Sequence, residues 1–317
     1  MNQTMQSLFR AVLRIIRPWS LLAGGLLYFL GIGIVRYLGE EINPSVAGIG
    51  LVMVMMFLLS AYFLQAYFDQ VERPPFELRQ RRSLPFSPEE DASAEEAQDA
   101  VEAEVPRGTY LLIAAVMLTI GAVMTVLLYA QNHLPPVAFL FLALSFVLIL
   151  AYSIPPLRLA DSGYGELVLS ILVANLFPTL AFTLQVGSVH RLLAMLTFPM
   201  TLLYLATLLA GSLIHYAADL KNNRGTMMVR LGWQRGMSLH NIILALAYVI
   251  LSITVIAGLP WRLAFPAFLS LPVAIFQIWQ MNAIAGGKKP RWRLLLYTAV
   301  ATVGLTAYFI NLAVWTS

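Results

Sequence analysis

Acidic residues are scarce in this 317-residue chain, so their positions are informative. Of sixteen Asp and Glu, eleven crowd between positions 69 and 104, and the others are Glu40, Glu41, Asp161, Glu166 and Asp219. Two clusters have residue types and spacing suited to chemistry. In the stretch Gln65-Ala66-Tyr67-Phe68-Asp69-Gln70-Val71-Glu72-Arg73, positions 65, 69 and 72–73 share one face of a helix. In His215-Tyr216-Ala217-Ala218-Asp219-Leu220-Lys221-Asn222-Asn223-Arg224, positions 215, 219 and 223 do the same. Two oxygen-bearing faces at one depth suit Mg²⁺, a hard cation that takes oxygen ligands and often binds together with substrate phosphates. Asp69, Glu72, Asp219 and Asn223 are the candidate metal ligands. Arg73, Arg158, Lys221 and Arg224, with Gln65 beside them, are the candidates for holding the phosphates.

These clusters need elements to carry them, and composition says which. The chain is 59% hydrophobic and 11% charged, with a mean hydropathy of +0.76. Ordinary soluble domains carry about 25% charge. The composition predicts an integral membrane protein and excludes a cytosolic enzyme or a secreted disulfide scaffold. The absence of cysteine removes thiolate metal sites and cysteine nucleophiles. A pI near 9.4 reflects loops beside a membrane, with no nucleic-acid partner implied.

Spanning the hydrocarbon takes about 20 apolar residues as a helix. Nine such runs are present, at about Trp19–Val35, Val46–Phe68, Gly108–Ala130, Pro135–Ser153, Gly165–Gly187, Leu192–His215, Met237–Gly258, Trp261–Met281 and Leu294–Trp315. With the N-terminus inside and strict alternation, seventeen of the twenty Lys and Arg fall on the cytoplasmic side. Only Arg36, Arg191 and Arg262 fall outside, which is the sorting a cytoplasmic N-terminus requires. Asp69, Asp161, Glu166 and Asp219 then sit near cytoplasmic helix ends, where a charge is a functional candidate. Residues 1–18 read as an amphipathic interfacial segment, because Phe9, Val12, Leu13 and Ile16 recur at helical spacing between arginines. Residues 70–107 form an acidic cytoplasmic insert with a helix start at Ser87-Pro88-Glu89-Glu90. It reads as a solvated helix or disordered insert, or as a lid held by Arg79, Arg81 and Arg82.

The segment Ala151-Tyr152-Ser153-Ile154-Pro155-Pro156-Leu157-Arg158-Leu159, followed by Gly163-Tyr164-Gly165-Glu166-Leu167, resembles the connection between the fourth and fifth helices of UbiA-type intramembrane prenyltransferases. Ala66-Tyr67-Phe68-Asp69 is similar to that family's first Asp-rich motif. Asp219 with Thr226 and Val229-Arg230-Leu231-Gly232 is similar to the second. The chain departs from the pattern at Gln65, where the family has Asn, and at Arg73 and Asn223, where it has Asp. The resemblance implies an all-α bundle of nine transmembrane helices in the cell (inner) membrane, with its active-site face toward the cytoplasm. It implies a prenyl diphosphate as donor, Mg²⁺ as cofactor, and a lipophilic or aromatic acceptor as in quinone biosynthesis. Asp69, Asp219 and Tyr152 would then be catalytic, with Tyr67, Phe68, Tyr152 and Tyr216 placed to face a developing allylic cation. A different class stays open: a non-catalytic relative that binds isoprenoid or quinone lipids. Metal dependence of diphosphate binding separates the two.

Overall fold

The computed structural model describes residues 17–72, 106–221 and 223–317, the side chains of residues 70–72 excepted. The expected interfacial segment before Arg17, Arg73 and the acidic insert with its Ser87 helix start lie outside the described residues, as does the Glu72 side chain.

Helices start where proline permits. Helices α1 (Pro18–Tyr37), α2 (Pro44–Glu72) and α4 (Pro136–Ser153) each begin on a proline, whose missing N–H is harmless in a first turn. Asn43 caps α2, its side-chain oxygen accepting from the amides of Ser45 and Val46. Helix α3 (Arg107–Ala130) follows α2, and after α4 come a 3₁₀ turn (Leu159–Asp161) and α5 (Gly165–Ile171). A π-turn (Leu172–Leu176) leads into α6 (Phe177–Val186), followed by α7 (Arg191–Ile214) and two short helices, α8 (Tyr216–Lys221) and α9 (Met227–Leu231). Helices α10 (Trp233–Ile256), α11 (Trp261–Phe268), α12 (Leu271–Ala285) and α13 (Trp292–Thr316) complete the chain. Among the described residues there is no strand, and nine spans are long and apolar enough to cross a membrane.

Two spans differ from the unbroken helices expected of them. Pro178 would press its ring on the carbonyl of Ala174, four residues back, and the wider π-turn at 172–176 lies at that point. The span from Trp261 to Ala285 is two helices, because Pro272 removes a donor just after the break. The Ser270 hydroxyl meets Tyr248 at 2.8 Å and Thr306 at 2.6 Å across that break. Polar neighbours of this kind let lipid-embedded helices tolerate interruptions.

The span Gly165–Val186 is the axis of the bundle: 83% of its core window is buried, against 17% for Arg107–Ala130 on the lipid face. Lipid tails give helices little hydrophobic reason to associate, so close packing and interhelical hydrogen bonds hold them. Gly31 brings α1 against α6, where a Cβ would lie 2.1 Å from the Pro178 carbonyl oxygen. Ser153 donates to the Ala61 carbonyl at 2.9 Å, Thr207 to that of Ala299 at 3.0 Å, and Asn311 to that of Leu26 at 3.0 Å. These ties fix α1, α2, α4, α7 and α13 around one end of the axis, where the site lies.

Candidate active site

Helix α2 presents Tyr62, Gln65 and Asp69 at i, i+3 and i+7, on one inward face. All three line a cavity of about 590 Å³ that also takes Tyr152 from the end of α4, His215 from the end of α7 and Arg224 from the loop after α8. Arg17, Trp19 and Ser20 enter from the start of α1. The deeper walls are apolar, including Leu26, Leu169, Leu208 and Val303. Trp19 and Leu22 both line the cavity and are 53% and 65% exposed, so its wall beside α1 faces lipid.

Four charges lock together at the rim. Asp69 is bridged by Arg158 through one carboxylate oxygen and by Arg224 through the other. Arg158 also reaches Asp161 at 2.8 Å, and Arg224 approaches the same carboxylate at 3.7 Å. All four side chains are about nine-tenths buried or more. Buried charges persist only when paired, and here each is. Arg158 holds left-handed backbone, φ 35°, a conformation that costs a non-glycine residue about 1–2 kcal/mol. The two carboxylates that grip its guanidinium hold it there. Gly225 lets the two loops meet: a Cβ there would lie 2.3 Å from the carbonyl oxygen of Asp161.

Glu166, in the first turn of α5, accepts from the Ser212 hydroxyl at 2.7 Å and from the amide of Met227 at 3.3 Å. It thus caps α9 from a distant part of the chain, alongside Thr226, whose hydroxyl accepts from Val229. The Tyr152 hydroxyl donates to Gln65 at 3.3 Å. Deeper in the cavity Ser20 meets the hydroxyls of Tyr62 and Tyr204, and the Arg17 guanidinium lies 5.2 Å from the Tyr62 ring centre.

The candidates read from sequence therefore separate. Asp69, Gln65, Tyr152 and Arg224 line the cavity together. Arg158, expected at the phosphate, lies behind Asp69, with its guanidinium on carboxylates and off the cavity lining. Asp219 is fully buried and also off the lining. Its amide donates to His215 and its carbonyl accepts from the amide of Arg224, so its backbone braces two lining residues. The shared face expected of His215, Asp219 and Asn223 is not formed. Helix α7 ends at Ile214, α8 is only six residues long, and Asn223 has left-handed backbone at φ 49°. Asn223 and Lys221 are exposed and do not line the cavity.

Sequence reasoning did not single out Arg17, Ser20, Tyr62 or Tyr204. For Tyr62 the signal was present, since it sits three and seven residues before Gln65 and Asp69. Ser20 and Tyr204 come from separate helices and carry no local motif. Asp161 was one of four acids near helix ends, and only the fold brings it to Asp69.

Among curated proteins, the 1,4-dihydroxy-2-naphthoate octaprenyltransferase of Bacillus subtilis (strain 168) is 28% identical over 123 residues. That match spans 38% of this chain and 39% of that protein. A UbiA homologue from Archaeoglobus fulgidus, solved bound to GPP and Mg²⁺, superimposes with a TM-score of 0.65 at 15% identity, covering 96% of this chain and 99% of that one. A structure described for digeranylgeranylglyceryl phosphate synthase gives a TM-score of 0.59 at 12% identity, covering both chains in full. At these identities the likeness is one of fold. The UbiA prenyltransferase family profile matches residues 100–283, more than half the sequence, and the chain belongs to that family.

Proposed function

We propose that this protein transfers an isoprenyl group from a prenyl diphosphate to a lipophilic aromatic acceptor, within the membrane. The observation that carries the reading is the cavity itself. Its apolar body lies at lipid depth, and its rim places Asp69 beside Arg224 with Arg158 behind. A prenyl tail fits the body and a diphosphate fits the rim. The curated relative's naphthoate acceptor and the GPP of the A. fulgidus structure support the same substrate classes. The sorting of basic residues supports a cytoplasmic N-terminus and a cytoplasmic rim, in a cell membrane.

The donor set fits Mg²⁺ in one specific way. Among the described residues no three His, Asp or Glu side chains gather into a cage. Mg²⁺ needs no cage when substrate phosphates complete its shell, and one or two carboxylates then suffice. Asp69 would hold it, with Asp161 or Asp219 as the candidate for a second oxygen. When bound there, the ion would neutralise charge on the departing diphosphate.

The chain's own groups account for the rest. Arg224 turns from Asp69 to the phosphate oxygens as the diphosphate arrives, and Arg158 keeps Asp69 in place. The carbon–oxygen bond to the diphosphate breaks with its electron pair leaving on oxygen. The allylic cation left behind is faced by the rings of Tyr62 and Tyr152. The acceptor's electron pair forms the new carbon–carbon bond, and the acceptor then loses a proton. Trp19 and the aliphatic walls keep water from the cation.

One observation favours a second reading, the non-catalytic lipid binder: Asp69 is already neutralised by two arginines. Release of diphosphate from a labelled prenyl diphosphate separates the two. Purified protein is reconstituted with phenolic and naphthoate acceptors, with and without Mg²⁺. Transfer predicts Mg²⁺-dependent release with a prenylated product. Binding without release under every acceptor and metal condition would support the carrier.

A further inference from the structure

We propose that a buried polar ladder between the span Trp261–Ala285 and α13 positions the cavity wall that receives the prenyl tail. Gln277 and Thr302 are its positioning residues, and Gly304 is where the wall sets the room for the tail. The inference rests on the transfer reading and concerns the donor's chain length.

One face of α13 carries Thr298, Thr302 and Thr306, recurring every four residues. Each meets a polar side chain of the preceding span, in antiparallel order. Gln280 donates to Thr298 at 3.1 Å, Thr302 donates to Gln277 at 3.2 Å, and the Thr306 hydroxyl lies 2.6 Å from that of Ser270. All six side chains are buried. Helix α10 locks two of the rungs from behind. The nitrogen end of the Gln277 amide meets His240 Nε2 at 2.9 Å, and the Tyr248 hydroxyl meets Ser270 at 2.8 Å. With both ends of its amide held, Gln277 is a spacer of fixed orientation between α10 and α13. Lipid gives these helices little hydrophobic reason to associate, so hydrogen bonds and close packing decide where α13 stands.

The opposite face of α13 carries Leu296, Val300, Val303 and Gly304, and all four line the cavity. From Leu296 to Gly304 this wall rises about 12 Å, and none of the four has a polar side chain. Such a wall suits a hydrocarbon tail. Gly304 lies farthest along it. A Cβ there would meet nothing within 4 Å, whereas one at Gly31 or Gly121 would collide with a neighbouring helix. Glycine weakens a helix relative to alanine, and at Gly304 no close approach of another helix offsets that. What its missing side chain provides is space in the cavity. Beside Gly304 no packing holds α13 off that space, so the ladder on the far face does.

The test is direct binding of geranyl diphosphate and geranylgeranyl diphosphate to the full-length protein in nanodiscs, read as the ratio of the two affinities. Gly304→Leu puts a side chain into the open space and should lower the longer donor's relative affinity by about tenfold. Thr302→Val keeps the shape and removes the hydroxyl. Helix α13 then relaxes toward the space, and the same ratio should fall by about threefold, the scale of one hydrogen bond between helices in lipid. Thr302→Ser keeps the hydroxyl and should keep the wild-type ratio. An unchanged ratio in Gly304→Leu overturns the proposal. So does a lower melting temperature with an unchanged ratio in Thr302→Val, because the ladder would then only hold the fold together. Equal effects of Thr302→Val and Thr302→Ser overturn it too, since the hydroxyl would not be what acts. Because the readout is binding, failure of the transfer reading shows separately, as donors that bind without diphosphate release under any acceptor.

Discussion

The end of α2 and the end of α7 carry related patterns, an amide or imidazole followed four residues later by aspartate, yet they become different structures. Helix α2 runs unbroken through Asp69, so the spacing from Tyr62 to Gln65 to Asp69 becomes one face on the cavity. Helix α7 stops at Ile214, His215 sits in a turn at φ −96° and ψ 7°, and a separate short helix carries Asp219. The first aspartate is on the lining and gripped by two arginines. The second is fully buried, with its backbone bracing His215 and Arg224. Spacing in a motif conveys geometry only as far as the helix continues. The comparison leaves Asp69 on the cavity lining and Asp219 behind the loop that carries Arg224.

The largest effect is expected from Asp69→Asn. The substitution keeps the shape and removes the charge that could hold Mg²⁺. Diphosphate release should fall by roughly 10²–10³-fold, the scale of losing one preorganised electrostatic group. Chelating Mg²⁺ from the wild type should produce a comparable loss. In the variant, adding Mg²⁺ should restore little, and release measured across a Mg²⁺ titration checks this. Melting should also move down, because taking one partner from a buried ion pair costs about 3–5 kcal/mol.

Asp219→Asn comes next and bears directly on the asymmetry. If Asp219 shapes the loop, turnover should drop by about tenfold, with a rise in KM for prenyl diphosphate as Arg224 loses its place. The Mg²⁺ concentration giving half-maximal release should stay near that of the wild type. A loss as deep as that of Asp69→Asn, with a shifted Mg²⁺ requirement, would make the two aspartates equal ligands and remove the distinction.

Much of this architecture was legible beforehand because a membrane simplifies the physics. Backbone groups in lipid must be satisfied locally, so long apolar runs had to be helices, and their number followed from length. Asp69 and Gln65 were legible because α2 is continuous. What stayed hidden depended on chain reversals and on contacts between distant segments. The break before Pro272 and the π-turn before Pro178 were signalled by proline but obscured by unbroken hydrophobicity. The left-handed turn at Asn223 was masked by an i+4 spacing that only a longer helix would have honoured. Ser20 and Tyr204 have no neighbours in sequence that mark them, since each gains its meaning from Tyr62 across a helix interface. Arg158's charge was visible in the sequence, whereas Asp161's approach to it was not.

Asp161→Asn has the smallest expected effect and separates the two arginines. Arg158 holds Asp161 at 2.8 Å, whereas Arg224 stands 3.7 Å away and has its closer contact with Asp69. Removing the Asp161 charge should loosen Arg158 more than Arg224. Arg158 is off the cavity lining, so the consequence should reach substrate only through Asp69. Turnover should then fall by a few-fold, about 1 kcal/mol in transition-state terms, with little change in KM for the prenyl diphosphate. Asp161→Glu should recover part of that loss, because a longer carboxylate can still meet a guanidinium held by the same loop. If KM rises instead while kcat holds, Asp161 governs Arg224, and the cavity-facing arginine rather than the hidden one depends on it. In either case the result shows through which arginine the α4–α5 loop acts on the aspartate that lines the cavity.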